Sequence, residues 1–264
     1  VSLGISFQPS EVAKLGVILS FAAMITRFGE NMETFRWGIA PFAGILAVIV
    51  VLLRLEPHNS AIVIIACTAG AMLFLGGVKY RWFILGGCAM LLGPVLILGA
   101  GGYEASRITA WQDPFSDPTD DGYQIIQSLY AIGSGGLFGL GFGQGRQKYL
   151  YLPEEHNDYI FSIACEELGL VGAAAILLLY ALLILRGYWI SMHIRDRFLS
   201  LTVAGITTLT ALQVFFNIGV VTNLLPSTGI SLPFFSYGGT ALLIQLGEMG
   251  IILGASRQCS AGFL

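Results

Sequence analysis

The sequence predicts an all-α, polytopic integral membrane protein, and three observations carry that prediction. Hydrophobic residues make up 55% of the 264-residue chain and charged residues only 11%, whereas soluble globular domains carry about 25% charged residues. Mean hydropathy is +0.78. Apolar runs of spanning length also recur. A spanning helix needs roughly 20 mostly apolar residues, and seven windows qualify: about 10–27, 36–54, 60–78, 81–100, 158–185, 198–222 and 233–255. The whole of 1–264 reads as one transmembrane domain. The net charge of −3 says nothing about nucleic acid, but no basic stripe exists, so no nucleic-acid partner is expected. Cys67, Cys88, Cys165 and Cys259 are far apart and have neither metal-ligand spacing nor a disulfide framework. They read as small buried hydrophobes. The chain starts at Val1 with no basic, then apolar, leader, and is expected to be a fragment entering its first helix from a loop.

Lys and Arg set the orientation. One side collects Arg27, Arg36, Lys79, Arg81, Arg186, Arg195, Arg197 and Arg257; the other collects Arg54, Arg107, Arg146 and Lys148. Eight against four places the first set in the cytoplasm, so the long connection 101–157 is extracytoplasmic. That loop holds seven acids (Glu104, Asp113, Asp117, Asp120, Asp121, Glu154, Glu155) against three bases.

The first span opens with Pro9-Ser10-Glu11. Ser10 is the expected cap, Glu11 suits the positive helix end, and Lys14 falls on the same face as Glu11. The pair is either an internal ion pair or a polar strip facing a cavity. Arg54, Glu56 and His58 cluster around Pro57 at an outer helix end. Within the long loop, Asp113-Pro114 and Asp117-Pro118 read as turns. Residues 121–131 suit a short amphipathic helix lying on the membrane surface, with Gln124 and Gln127 on one face. Glycines at 133, 135, 136, 139, 141, 143 and 145 follow. Such a run permits close backbone approach and anion-binding nests of amides, or a re-entrant loop against the bundle. It is neither a Walker loop nor a dinucleotide fingerprint. Arg146 and Lys148 come next and point to an anionic ligand.

Asp158 stands where this polar loop meets an apolar helix, and a carboxylate at that depth needs partners or a task. Glu166 lies about 12 Å further along the helix axis, too far to act with Asp158 on one bond. Glu167 falls on the opposite face. The stretch 217–240, NIGVVTNLLPSTGISLPFFSYGGT, is irregular at membrane depth, which is tolerated only inside protein or along a wet cavity. Pro226 and Pro233 bracket its loop, and Gly238-Gly239 are expected to let helices approach closely. Glu248 is a lone acid in the final span.

Four stretches, in order, resemble the FtsW/RodA/SpoVE (SEDS) family: QPSEVAK, SRITAWQDPFSDPTDDGYQIIQSL, QKYLYLPEEHNDYIFSIACEELGLVG and the 217–240 stretch. Together they run over essentially the whole chain. GLGFGQGRQKYLYLP is more similar to the division and sporulation members than to the elongation members. The resemblance implies a ten-helix protein, of which this chain would hold helices four to ten. It implies a peptidoglycan glycosyltransferase of the bacterial cell membrane that polymerises lipid II. The expected partners are a class B penicillin-binding protein and the division or related cell-wall synthesis complex. The family's catalytic aspartate maps onto Asp158, with Asn157 where the family has Thr and Tyr159 where it has Phe. His58 stands where many members carry Asp.

From these readings, Asp158 is the expected general base. Arg107, Arg146 and Lys148 are the bases available to a pyrophosphate. Gln124, Gln127, Glu154, His156, Lys14 and Glu11 complete the candidate substrate-binding set. A Mg²⁺ or Mn²⁺ ion held by Asp158 and Glu154 is a further expectation. The alternative is a lipid II flippase, because polytopic chains with intramembrane charges and broken helices also transport. Against it stand the lack of repeat symmetry and the concentration of polar chemistry at one face.

Overall fold

In a computed structural model of the chain the described residues are 8–56, 59–82, 103–118, 122–147 and 157–259. The predicted span 81–100 falls almost wholly outside them, and His58, Lys148, Glu154 and His156 fall outside as well. Regular structure among the described residues is helical: α1 (Pro9–Phe28), α2 (Phe35–Gly38), α3 (Ala40–Leu55), α4 (Asn59–Leu75), α5 (Tyr103–Gln112), α6 (Tyr123–Ser134), α7 (Ile160–His193), α8 (Arg197–Val221) and α9 (Gly239–Ser256). Among the described residues four stretches are long and apolar enough to cross a membrane: Phe35–Leu55, Ile160–His193, Arg197–Val221 and Gly239–Ser256. Asn59–Leu75 is a shorter apolar helix. The chain is thus a multi-helix membrane protein, as its hydropathy predicts.

Three element boundaries differ most from the sequence reading: α7 runs on to His193, beyond the expected 185, and the starts of the first and last helices also move. Ser10 does not cap α1. Gln8 takes that place with extended backbone, Pro9 fills the first helical position, and Ser10 is buried inside the first turn. Proline wins there because its missing N–H has no helical partner to lose. The last helix starts at Gly239, not near 233. Residues 233–238 are a turn held by bonds from the Phe235 and Ser236 amides to the Leu232 carbonyl. Gly238 is extended and Gly239 has open space where a side chain would stand, so this pair starts a helix and does not pack one.

The chain divides into two compact units. One comprises residues 1–85, 182–212 and 238–264. Its core is the buried face of α1 (Ile18, Phe21, Ala22, Ile25), with Phe42 edge-on to Phe21 at 4.8 Å and Met72 from α4. Gly205 of α8 lets that helix approach α1 and α4: an added Cβ would stand 2.7 Å from Ile18 Cγ2 and 3.0 Å from Met72 Sδ. The threonines of α8 do not need outside partners, because Thr202, Thr207, Thr208 and Thr210 donate to carbonyls four residues back. At the basic end, Lys79 bridges to Glu33 at 2.6 Å. The other unit comprises residues 86–181 and 213–237. Its core gathers Tyr159, Phe161, Ile163, Cys165, Ile176, Tyr180, Val220, Val221 and Leu232.

Two expectations follow. Gly205→Val should overpack the α1–α4–α8 contact and cost about 1–3 kcal/mol, read as a lower melting temperature in detergent. The hydrogen bond and charge of Lys79 hold the Glu33 carboxyl below its ordinary value. The bridge should therefore be fully present above the usual carboxylate range and disappear as pH falls through the lowered value. Lys79→Met should move the Glu33 titration upward in a carboxyl-resolved NMR titration.

Candidate active site

The second unit is built around a broken helix. Gly169, at φ 68° and ψ −170°, interrupts α7 one-quarter of the way along, in a region that glycine alone enters at low cost. A break leaves carbonyls and amides unpaired, which is costly away from water. The glycine-rich loop supplies their partners. Leu140 and Gly141 donate backbone N–H to the carbonyls of Glu166 and Glu167, at 3.0 and 3.1 Å. Leu170 and Val171 donate to the carbonyls of Gly136 and Leu137, at 2.9 and 3.1 Å. Only glycine fits at 135 and 139, where a Cβ would meet the carbonyls of Cys165 and Glu167 at 2.1 Å.

The side chains of the same two glutamates hold the other end of the loop. Glu167 accepts the amides of Gly143 (2.9 Å) and Gly145 (3.3 Å), and Glu166 accepts those of Arg146 (2.8 Å) and Gln147 (3.2 Å). Glu166 is 1% exposed. The expected amide nest therefore exists, but its anions are the protein's own carboxylates. The helical wheel placed Glu167 away from the Asp158 face. What it faces is this loop.

Asp158 sits in the turn 157–159 just before α7 and is half-buried. Its backbone is tied down by groups from residues 217–237. Asn217 donates through Nδ2 to the Asp158 carbonyl at 2.7 Å and to the Ile230 carbonyl at 2.8 Å. Ser236 donates to the Asn157 carbonyl at 2.6 Å and accepts the Leu232 amide at 2.7 Å. Phe234, between them, holds φ at 65°, a strained value for an aromatic residue that costs about 1–3 kcal/mol. Arg107 reaches this group as well: its Nη1 donates to the Ser227 carbonyl at 3.3 Å, while Tyr159 donates to Ser227 Oγ at 3.5 Å. The Tyr159 hydroxyl feels both the Asp158 carboxylate and the Arg107 guanidinium. Asp158 and Arg107 thus both lie within electrostatic range of the Tyr159 hydroxyl, and Arg107 and Tyr159 both bond Ser227.

The other candidates are placed differently. Gln124 and Gln127 are half-buried on α6, whose Ser128 donates to the Val221 carbonyl and bonds Ser162, both at 2.7 Å. Arg146 has its amide on Glu166 and its side chain exposed. Glu11 and Lys14 belong to the first unit, where they form a buried ion pair of 2.7 Å. Glu248, 2% exposed, lies within electrostatic range of both. Of the two expected metal ligands only Asp158 is described. Among the described residues no group of three or more His, Cys, Asp and Glu could hold a metal ion. The sequence reading missed Asn217, Ser227 and Ser236 as individuals. Their signal was an amide and two hydroxyls within an apolar, proline-bracketed stretch.

Glu166→Ala should leave the Arg146 and Gln147 amides without acceptors and cost about 1–3 kcal/mol. Glu166→Gln, which keeps one acceptor oxygen, should lose less. Melting temperatures of the two variants in detergent check the order.

Comparison with known proteins matches this architecture. The sequence pattern of the FTSW_RODA_SPOVE family, described as "Cell cycle protein", matches residues 2–261. Stage V sporulation protein E of Bacillus subtilis (strain 168) is 42% identical over 252 residues, which is 96% of this chain and 69% of that protein. The probable peptidoglycan glycosyltransferase FtsW of Geobacter sp. (strain M18) is 40% identical over 255 residues, 97% of this chain and 70% of its own length. Among solved structures, a chain of a peptidoglycan synthase complex, described as coordinating polymerization and crosslinking, superposes with a TM-score of 0.81 at 28% identity, covering 99% of this chain and 73% of the other. The rod shape determining protein RodA of Thermus thermophilus superposes with a TM-score of 0.66 at 28% identity, covering 98% and 69%. A pattern match over nearly every residue, relatives at about 40% identity and a shared fold agree: the chain belongs to the FtsW/RodA/SpoVE family.

Proposed function

We propose that this chain is a peptidoglycan glycosyltransferase that polymerises lipid II, with Asp158 as its general base. The observation that carries the proposal is the fixed position of Asp158. Its turn leads into an apolar helix, the backbone of that turn is clamped by Asn217 and Ser236, and Arg107 lies within electrostatic range of the neighbouring Tyr159. A carboxylate on rigid backbone is positioned for proton transfer, which depends on hydrogen-bond geometry first. A lipid-linked sugar has its chain in the bilayer and its head outside, so a site at a helix end suits it. The name of one relative, probable peptidoglycan glycosyltransferase FtsW, supports the same chemistry.

In the proposed step the Asp158 carboxylate takes the proton of the acceptor GlcNAc 4-hydroxyl. That oxygen attacks the anomeric carbon of the donor MurNAc, a new glycosidic bond forms, and the bond to the pyrophosphate oxygen breaks. The configuration inverts, giving a β-linked strand. Undecaprenyl pyrophosphate leaves with the electron pair, and Arg107 is the cation placed to receive its developing charge. No step is assigned to a divalent cation. The charge bias of the loops supports a multi-pass protein of the bacterial cell membrane with this face outside the cytoplasm. Relatives named FtsW or Stage V sporulation protein E, at 38–42% identity, support a division or sporulation role. The solved synthase complex supports a crosslinking partner, a class B penicillin-binding protein within the division or related cell-wall machinery.

Asp158→Ala should lower glycan polymerisation by about 10²–10⁴-fold in purified protein with lipid II in detergent, and leave the melting temperature within a few degrees of the parent. Detergent abolishes sidedness, so polymer made there excludes a role confined to flipping. Undiminished polymer from the variant would remove Asp158 from the chemistry.

A further inference from the structure

Residues 122–145 contain no Asp, Glu, Lys, Arg or His. They are flanked by Asp120 and Asp121 on one side and Arg146 and Lys148 on the other. A chain of that length exposed to water would be expected to carry charge. These residues form α6 and the glycine-rich loop, and both run beside α7. Contacts step inward along it: Ser128 meets Ser162, Gly135 meets Cys165, and Leu137 meets Val171. The chain then doubles back through Gly143 and Gly145 to Glu167 and Glu166. The element is a hairpin that enters and leaves by the same end of α7.

Its depth follows from helix geometry. Gly169 is nine residues past Ile160, about 14 Å at 1.5 Å per residue, against a hydrocarbon core about 30 Å thick. Backbone without helical bonds survives at that depth only where its polar groups are satisfied, and here the break and the loop satisfy each other. What the tip turns outward is apolar. Phe138 is 82% exposed and Phe142 is 88% exposed, with Leu137 and Leu140 also exposed. Through the bonds at 136–137 and 170–171 the tip is continuous with Leu170, Val171, Leu178 and Leu179, the exposed apolar face of a spanning helix. Nothing in water gains from such a surface, whereas a lipid acyl chain does.

We propose that α6 and the loop 135–145 form a re-entrant hairpin whose tip, Leu137, Phe138, Leu140 and Phe142, is buried in the hydrocarbon of the leaflet at the Asp158 end and packs against lipid chains. This replaces the surface-lying helix expected from the sequence. It depends on the chain spanning a membrane and not on the glycosyl-transfer reading, so either stands or falls without the other.

The test uses nitroxide labels on Phe138→Cys and Phe142→Cys in lipid vesicles, with the four native cysteines replaced by serine. Leu178→Cys serves as the lipid-facing reference and Ser116→Cys as the aqueous one. Oxygen collision with high frequency and nickel-chelate collision with low frequency, as at 178, is the expected result. Chelate access like that at 116 would put the tip in water and overturn the proposal. Exclusion of both probes would mean that protein covers the tip, and would overturn it as well. In the protein with its native cysteines, Phe142→Leu should insert normally and Phe142→Asp should lower the yield of membrane-inserted protein several-fold. Equal yields for the two would also count against it.

Discussion

Two carboxylates buried beside a broken helix turn are the constraint on which the second unit depends. Glu166 and Glu167 have little water to face, and an unpartnered buried charge is not tolerated. Their side chains collect loop amides while their own carbonyls collect two more. Charge-assisted bonds of this kind are about twice as strong as neutral ones. The same few residues therefore stabilise the break in α7, fix the fold of a loop with hardly any core of its own, and set where Arg146 begins. Packing comes second here; the glycines matter because a Cβ would keep the loop from coming close enough for those bonds.

The aspartate site obeys a similar rule at its other end. Its turn is fixed through main-chain oxygens, by the amide of Asn217 and the hydroxyl of Ser236. Such clamping acts on the backbone of the turn. The left-handed Phe234 beside it is the local cost of folding the 222–238 loop tightly enough to deliver Ser236. That cost is offset by a ring packed against the unit's core.

Much of this was legible in the sequence, because hydropathy and helical spacing are local. The spans follow apolar run lengths, and the Glu11–Lys14 pair follows from three-residue spacing, which puts both on one face before any fold is known. Asp158 stood out because a charge at the edge of an apolar run is costly. What was not legible depends on partners distant in sequence. The break at Gly169 is unremarkable in the sequence, because glycine at 172 and 187 of the same run causes no break; it acquires meaning only when residues 136–141 arrive to pair with it. Glu166 and Glu167 looked idle on a helical wheel, since a wheel shows faces and not what covers them. The start of α9 moved because residues 233–238 are apolar enough to extend a span, yet their turn bonds to Leu232 compete successfully with helix.

Loops ordinarily absorb insertions and deletions, since their ends are anchored and their middles are not. The segment from Gly135 to Gln147 is anchored along most of its course, with carbonyls or amides at 136, 137, 140, 141, 143, 145, 146 and 147 each matched to an atom of α7. One added or lost residue would shift every later amide off its acceptor, in the way a slipped register undoes a sheet. Its length is therefore as fixed as that of a strand, and room for change in this part of the molecule lies instead around the exposed turn at 115–117.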